Sequence, residues 1–321
     1  MAESTSVTFT GAVPLVKEGA GALTWVGDGD TVSTSVLLYV SNGVFTASQG
    51  ISLAVLDVAD GATFSAPAAS IPVESLSGDD ALREILRVGT SAGGGKAKAV
   101  VGWNRATDQF VAGAGDLPEG FEHWLVKFSP LGMEEAGERE YQVYLQAKAS
   151  GIEMSECRVY ELDGVKHFMT KRFDRDGNRR HLLQTYCAMK HLPHGSPRQL
   201  MTYEGLFQTA IDLGLGYETL EQLFRRMTFN VLIEEVDDHT KNFSFLMKEG
   251  GRWELAPAYD LTGCHFSVED KDFEAWCNPH VLSVNGKTGL IADEDLLAVA
   301  ERYGIGTGKR ILREIKEAVK K

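Results

Sequence analysis

Three residues in the C-terminal third of the chain have the types and the spacing of a phosphoryl-transfer site. Asp237 is followed five positions later by Asn242, and Asp260 lies beyond a strand-like stretch. In such sites the first carboxylate takes the proton of the acceptor hydroxyl, while the amide and the second carboxylate hold Mg²⁺ on the phosphates of ATP. The pattern therefore predicts Asp237 as the catalytic base and Asn242 and Asp260 as metal ligands.

A plain acidic surface loop is the competing interpretation of this stretch. Glu234, Glu235 and Asp238 surround Asp237, and an Asp after Pro-Ala-Tyr commonly forms a turn. The fixed spacing of the three predicted site residues favours phosphoryl transfer over a loop that is merely solvated. His239, inside the same stretch, is predicted to contact phosphate or to order the loop.

A glycine run and two lysines lie upstream, in the order that an ATP site requires. Gly93, Gly94 and Gly95 let the backbone approach a phosphate closely, and Lys98 follows in the next predicted strand. Lys127 ends an apolar strand and is the candidate for contacting the α- and β-phosphates. A flexible loop and an exposed lysine are the alternatives, and the chain has no Walker A spacing.

The helical segment after this strand carries two glutamates, Glu138 and Glu140, and either can pair with Lys127. In kinases such an ion pair holds the lysine toward the phosphates. We favour Glu140 as the partner, although the spacing does not choose between the two.

The elements that must position these residues change in type along the chain. Residues 1–75 are rich in Gly, Ser, Thr and Val and predict several short antiparallel strands. Residues 76–175 carry the glycine-rich loop and further strands, and residues 176–321 become mainly helical. The predicted fold class is α+β, a protein-kinase-like fold of two lobes with a β-rich N-lobe and a mainly helical C-lobe.

Local patterns predict individual elements. A hairpin is expected around Asp163-Gly164, and a second hairpin, 243–256, would bring Asn242 and Asp260 together. Helices are predicted over Glu134–Ala149, Arg180–His191, Tyr203–Leu213, Leu220–Ile233, Asp293–Tyr303 and Lys309–Val319.

Composition narrows the class of partner and the compartment. The chain has 321 residues and a net charge of −13, which argues against a broad nucleic-acid-binding face. Its apolar runs are far shorter than a membrane span, and its first residues lack the pattern of a signal peptide. The four cysteines are scattered, which predicts neither a zinc site nor a disulfide framework and favours a cytoplasmic location.

Several longer segments carry a more specific signal. They are VGTSAGGGKAKA (Val88–Ala99), WLVKF (Trp124–Phe128), EYQVYLQAKASGIEM (Glu140–Met154), KRFDR (Lys171–Arg175), RRMTFNVLIEEVDDHTKNFSFLM (Arg225–Met247), PAYDLT (Pro257–Thr262) and SVNGK (Ser283–Lys287). Together these segments resemble the HipA-like serine/threonine kinases, the toxins of bacterial HipA/HipB toxin–antitoxin modules.

The resemblance implies further site residues. Lys171 and Phe173 would meet adenine through their backbone, with Asp174 beside them, and Tyr259 would belong to the same nucleotide site. Ser91 matches the serine that family members autophosphorylate, a modification that ejects the glycine-rich loop and silences the kinase.

The resemblance also implies a function. It is that of an ATP- and Mg²⁺-dependent serine/threonine protein kinase, a toxin that arrests growth by phosphorylating a translation component such as an aminoacyl-tRNA synthetase. A HipB-like antitoxin is the expected partner, DNA is contacted only through that antitoxin, and no membrane is involved. A small-molecule kinase and a nucleotide-binding regulator without turnover remain the alternatives, because the Asp-to-Asn spacing does not identify the acceptor hydroxyl.

Three features depart from the family pattern. Lys96-Ala97 stand where the family loop often carries Arg-Pro, and Glu235-Val236 stand where close relatives often have Asn-Arg. Residues 1–70 match poorly, and the proline- and tryptophan-bearing segment of the longer toxins is not found there.

Overall fold

The chain folds as two units, Met1–Ser75 and Leu76–Lys321. A computed structural model describes residues 97–320 except 114, 131, 193–196 and 264–278, together with the short stretches 15–16, 36–39, 53–54, 79–80 and 82. Among the described helices, none combines the length and the apolar character needed to cross a bilayer.

The first unit contains a three-stranded sheet of β1 (Leu15–Val16), β2 (Val36–Tyr39) and β3 (Leu53–Ala54). Both pairings are parallel, so the expectation of antiparallel strands was wrong. Antiparallel neighbours can be joined by a tight turn, whereas parallel neighbours need a crossover of a dozen or more residues. The connections 17–35 and 40–52 have that length, which the turn signals in the sequence did not reveal.

The N-lobe of the second unit is a five-stranded antiparallel sheet in the order β5-β4-β6-β8-β7. Its strands are β4 (Lys98–Asn104), β5 (Gln109–Ala112), β6 (Glu122–Lys127), β7 (Cys157–Leu162) and β8 (Val165–Lys171). The predicted hairpin is confirmed, because Asp163 and Gly164 join β7 to β8 with φ of 52° and 78°. A two-residue turn in which both residues have positive φ has a backbone twist that matches the right-handed twist of the flanking strands.

Alternate residues of the central strands form the N-lobe core. Val101, Trp103, Trp124 and Val126 are buried, and Trp103 meets the edge of Trp124 with ring centroids 5.3 Å apart. Leu82, which lies in a helical stretch before the sheet, is buried in the same cluster. This rigid sheet fixes the end of β6, where Lys127 lies.

Helix α1 (Ala136–Ala149) packs on strand β8 through a glycine. A Cβ atom added at Gly137 would lie 2.3 Å from the carbonyl oxygen of Lys166 and 2.6 Å from the backbone nitrogen of Phe168. The helix therefore approaches the sheet more closely than any side chain would allow. This close approach buries Glu140, one turn further along the helix.

The C-lobe is mainly helical. Its strands are β9 (Arg175–Asp176), β10 (Arg179–Arg180), β11 (Leu182–Thr185), β12 (Ser244–Met247) and β13 (Trp253–Leu255). Its helices are α2 (Tyr186–Met189), α3 (Tyr203–Asp212), α4 (Tyr217–Leu232), α5 (Asp293–Arg302) and α6 (Gly308–Ala318), with 3₁₀ turns at Arg198–Leu200 and Thr240–Asn242.

The prediction of one helix over Arg180–His191 was wrong. Strand β11 pairs antiparallel with β12 from Leu182 opposite Met247 to Thr185 opposite Ser244, and only the short helix α2 follows. Thr185 accepts a hydrogen bond from the backbone N–H of Ala188 and so begins that helix. The pairing with a strand about 60 residues away along the chain overrides the local helical pattern.

The C-lobe core forms around α4. Leu223, Phe224 and Met227 are fully buried and pack in one cluster with Ile311 and Ile315 of α6. The predicted second hairpin is confirmed, since β12 pairs with β13 and the backbone N–H of Ala256 donates to the carbonyl of Ser244 at 3.0 Å. Its open end brings together the segment before β12 and the segment after β13.

We expect Gly137→Ala to destabilise the second unit by roughly 1–3 kcal/mol. Alanine gains helix propensity over glycine, but the clash outweighs this gain because all three nearest atoms belong to the backbone and cannot rotate away. Thermal denaturation measures the effect. Gly115→Ala is the control, since nothing lies within 4 Å of its added Cβ. Equal melting temperatures for the two variants would contradict the close packing of α1.

Candidate active site

A buried ion-pair cluster joins the two lobes at Lys127. The Lys127 ammonium lies 2.5 Å from a carboxylate oxygen of Glu140 on α1, and it also pairs with Asp260 in the segment after β13. Lys127 and Glu140 are only 7% and 6% exposed. The structure thus identifies Glu140, rather than Glu138, as the partner that the sequence left open.

Burial opposes the charge of Lys127, but the two carboxylates outweigh it, so the pKa of Lys127 is raised above its ordinary value. The lysine therefore remains protonated and keeps its donors for an anionic ligand. Removing either carboxylate would leave a buried charge short of a partner, which is costly in an interior.

Asp260 is held in an unusual backbone conformation. Its φ is 57°, in the left-handed region that few residues other than glycine adopt. The residues on either side are anchored: the N–H of Ala258 donates to the carbonyl of Glu153, and the N–H groups of Thr262 and Gly263 donate to Glu235 at 2.6 Å each. Such conformations persist where the surroundings fix them, and they cluster at functional sites.

The loop 235–242 holds the predicted catalytic base, Asp237, and is called the catalytic loop below. Asp237 is exposed, and its carboxylate lies 3.9 Å from Nε2 of His239. The side-chain amide of Asn242 donates to the carbonyl of Asp237 at 3.0 Å, which leaves the side-chain oxygen of Asn242 for another partner. Asn242 and Asp260 line one pocket, so the structure brings these two predicted metal ligands together.

The donor set of this pocket fits Mg²⁺ that is shared with a nucleotide. Mg²⁺ is usually held by one or two protein carboxylates together with phosphates and waters, and Asn242 and Asp260 supply two oxygen ligands. The described residues contain no group of three or more His, Cys, Asp or Glu that could hold a metal on its own.

Two buried carboxylates, those of Glu235 and Asp238, brace this loop, a role that was not predicted from the sequence. Asp238 is 1% exposed and accepts hydrogen bonds from the Tyr203 hydroxyl at 2.8 Å and from His280 at 3.1 Å. It also accepts from the backbone N–H groups of Val281 and Leu282. Glu235 accepts from the segment just after Asp260. The only signal in the sequence was the density of acidic residues, which does not separate the buried ones from the exposed one.

Tyr259 connects the catalytic loop to the segment that carries Asp260. Its hydroxyl donates to the carbonyl of Lys241 at 2.6 Å, so the Ser244 hydroxyl, at 2.5 Å, must donate to Tyr259. Burial raises the pKa of Tyr259 to about 12, so the phenol stays protonated and keeps this role. Its ring centroid lies 5.6 Å from that of Phe173.

The remaining predicted residues lie at the end of strand β8 and in the segment that follows it. Lys171 ends β8 and pairs with Glu122. Arg172 donates two hydrogen bonds, of 2.8 and 2.6 Å, to the Asp174 carboxylate. Burial alone would raise the pKa of Asp174, but the effect of Arg172 is larger, and the pKa is lowered.

Lys98 opens β4 and lies directly opposite Lys127 in the pairing of β4 with β6. Two residues directly opposite in an antiparallel pair project from the same face of the sheet. Ser91, Gly93, Gly94 and Gly95 lie outside the described residues.

The fold and the site define the class of protein: a kinase-like fold in which a lysine at the end of a strand of the antiparallel sheet pairs with a glutamate of helix α1. A HipA toxin of Shewanella oneidensis MR-1, solved in a complex with HipB and its operator DNA, matches with a TM-score of 0.55 and 21% identity. The match covers 72% of this chain and 57% of the Shewanella chain. This likeness shows the fold.

The chain belongs to the HipA-like C-terminal domain family, whose model matches residues 90–321. The putative kinase Y4dM of Sinorhizobium fredii is 23% identical over 170 residues, which are 47% of this chain and 40% of that protein. The proinflammatory kinase CtkA of Helicobacter pylori shares 13% identity, with a TM-score of 0.38 over 61% of this chain and 86% of CtkA. The chain spans about half the length of the Shewanella and Sinorhizobium relatives.

The buried position of Glu235 predicts that the stability of the protein depends on pH. Burial raises the pKa of Glu235 above its ordinary value of 4.5 despite three hydrogen bonds to its carboxylate. A raised folded-state pKa contributes stability below the unfolded value, and that contribution is lost as pH rises through the folded value. We therefore expect the unfolding free energy of the wild type, relative to Glu235→Gln, to fall as pH rises above the ordinary value of 4.5 towards neutrality.

Chemical denaturation of both proteins across this pH range measures the difference. All other titrating groups are shared, so the difference isolates Glu235. A relative stability that rises with pH would show that the hydrogen bonds outweigh the burial.

Proposed function

We propose that this protein is an ATP- and Mg²⁺-dependent serine/threonine protein kinase of the HipA type. The observation that carries the proposal is the cluster of the buried Lys127 and Glu140 with the half-buried Asp260. A protonated lysine fixed by a helix glutamate beside a metal-binding aspartate is the arrangement by which kinases hold the phosphates of ATP. Lys127 would donate to the α- and β-phosphates, with Glu140 keeping its side chain in place.

Asn242 and Asp260 would hold Mg²⁺ by their side-chain oxygens. When bound, the ion neutralises the charge that develops on the transferred phosphoryl group. On its arrival Asp260 would share its carboxylate between the ion and Lys127. The hydrogen bond from the side-chain amide of Asn242 to the carbonyl of Asp237 supports this role, because it uses the nitrogen and not the oxygen of that side chain.

Asp237 would accept the proton of the acceptor hydroxyl. Its side chain is 69% exposed, so a hydroxyl on the surface of another protein can reach it. His239 lies beside it and would contact the phosphates or order the loop.

The adenine would lie against the segment Lys171–Asp174, whose backbone connects the sheet to the C-lobe. The Phe173 and Tyr259 rings lie beside each other there, and Arg172 fixes the Asp174 side chain. The glycine-rich loop, Gly93–Gly95, with Lys98 would cover the phosphates, and Ser91 would be the site of autophosphorylation.

As a biological role we propose that the protein is a toxin that acts in the cytoplasm with a HipB-like antitoxin. It would contact DNA only through that antitoxin. The structure of the Shewanella HipA with HipB and operator DNA supports this assignment by likeness of fold. The proposed substrate is a translation component such as an aminoacyl-tRNA synthetase.

Asp237→Asn is expected to lower phosphoryl transfer by about 10²-fold or more, because the amide cannot accept the hydroxyl proton. Incubation with γ-labelled ATP and Mg²⁺, followed by mass spectrometry, measures the transfer and maps Ser91. Asp176→Asn, an exposed carboxylate on β9, is the control and should label like the wild type. Equal labelling of the Asp237→Asn protein would refute the assignment of the base.

Two other outcomes of this assay identify the competing functions. ATP binding without any labelled protein would indicate a regulator without turnover. Consumption of ATP only when small alcohols are present would indicate a small-molecule kinase.

Asn242→Ala is expected to raise the Mg²⁺ concentration needed for half-maximal ATP binding by about tenfold or more, because one metal ligand is lost. Calorimetric titration of ATP at a series of Mg²⁺ concentrations measures this shift. Nucleotide binding without Mg²⁺ should change little. A variant with an unaltered Mg²⁺ dependence would exclude Asn242 as a ligand.

A further inference from the structure

A buried arginine near the catalytic loop has hydrogen-bond donors without acceptors among the described residues. Arg226, on α4, is 2% exposed, and its Nε and Nη2 atoms have no hydrogen-bond partner within the part of the chain that the structure describes. Leaving a buried donor unpaired is costly, and more so when the group is charged. An orphaned buried group of this kind usually marks an ordered water or an ion.

The guanidinium stays charged. Burial lowers the pKa of Arg226 to about 10, which is still well above neutral pH. Its donors therefore need an acceptor under all ordinary conditions.

A second orphan lies one helical turn away. Asn230 is 2% exposed, and its side-chain oxygen has no hydrogen-bond partner among the residues that the structure describes. The orientation of this amide is fixed by its neighbours. The Tyr203 hydroxyl donates its one proton to Asp238, so it can only accept from the amide nitrogen of Asn230, at 2.9 Å. The Asn230 oxygen must therefore find its donor on the other side.

Both orphans line the same cavity. Arg226 and Asn230 are four residues apart on α4 and so lie on one face of the helix. The cavity has a volume of about 10 Å³, and Asn242 and Asp260 lie in the same lining. A space of that size is the least that holds one water molecule, provided that two or more polar groups contact it.

We propose that one water molecule occupies this cavity and connects Arg226 to Asn230. A water oxygen can accept from the guanidinium while a water hydrogen is donated to the Asn230 oxygen. A halide ion would satisfy Arg226 but would leave the Asn230 oxygen without a donor. Water is the small ligand whose chemistry matches both orphans.

The water completes a relay from Arg226 through Asn230 and Tyr203 to Asp238. Asp238 is buried and directly follows the exposed Asp237 in sequence. Through this relay Arg226 acts as a positioning residue for the loop. This consequence rests on the proposed kinase function, whereas the water itself does not.

A crystal structure of the wild type at about 1.6 Å resolution tests the water directly. We expect one density peak within hydrogen-bond distance of both Arg226 and the Asn230 oxygen. An empty cavity, or a peak with the anomalous signal of bromide after a bromide soak, would overturn the proposal. This result does not depend on whether the protein phosphorylates anything.

The relay is tested by comparing Arg226→Met, Arg226→Lys and the control Arg225→Met. Arg225 lies next to Arg226 but donates to the carbonyl of Ser150 and to Glu314, away from the relay. We expect Arg226→Met to lower kcat about tenfold with the ATP affinity unchanged, since misplacing a loop weakens the chemical step. Arg226→Lys should recover most of the rate, because an ammonium can also donate to the water.

Stability separates positioning from a merely structural role. Replacing a buried charge together with its bound water by an apolar side chain of similar volume is often nearly neutral, so Arg226→Met should lower the melting temperature less than Arg225→Met does. A kcat of Arg226→Met equal to that of the wild type would overturn the relay. A loss of rate that merely follows the loss of stability, as in Arg225→Met, would do the same.

Discussion

The site depends on one interaction, the burial of the Lys127 ammonium between two carboxylates that come from different parts of the fold. Glu140 lies on a helix of the N-lobe and Asp260 lies in the segment after β13 of the C-lobe. A buried charge tolerates little change in the geometry of its partners. The close approach of α1 at Gly137 and the left-handed conformation at Asp260 both follow as conditions for this contact.

Around this contact, burial decides the role of each acidic residue. Glu235 and Asp238 are enclosed and take up backbone N–H groups, which fixes the segments 262–263 and 281–282 to the catalytic loop. Asp237, between them in sequence, faces the solvent. The same side-chain chemistry therefore braces the loop at two positions and is exposed to solvent at the third, where we propose that it accepts a proton.

This division explains what the sequence could and could not predict. The spacing of Asp237, Asn242 and Asp260 predicted a common site, because a hairpin between the last two brings its ends together. Which acidic residues are buried depends on contacts with Tyr203 and His280, which are distant in sequence and have no local signature. For the same reason the strand Leu182–Thr185, which is defined by its partner β12, was mistaken for helix.

Glu235 shows that a buried position can need a hydrogen-bond acceptor without needing its charge. An amide oxygen at this position could accept hydrogen bonds from N–H groups such as those of Thr262 and Gly263 without carrying a charge. The carboxylate keeps the acceptor but brings a charge into the interior, and burial accordingly raises its pKa. The position therefore requires an acceptor, not an acid.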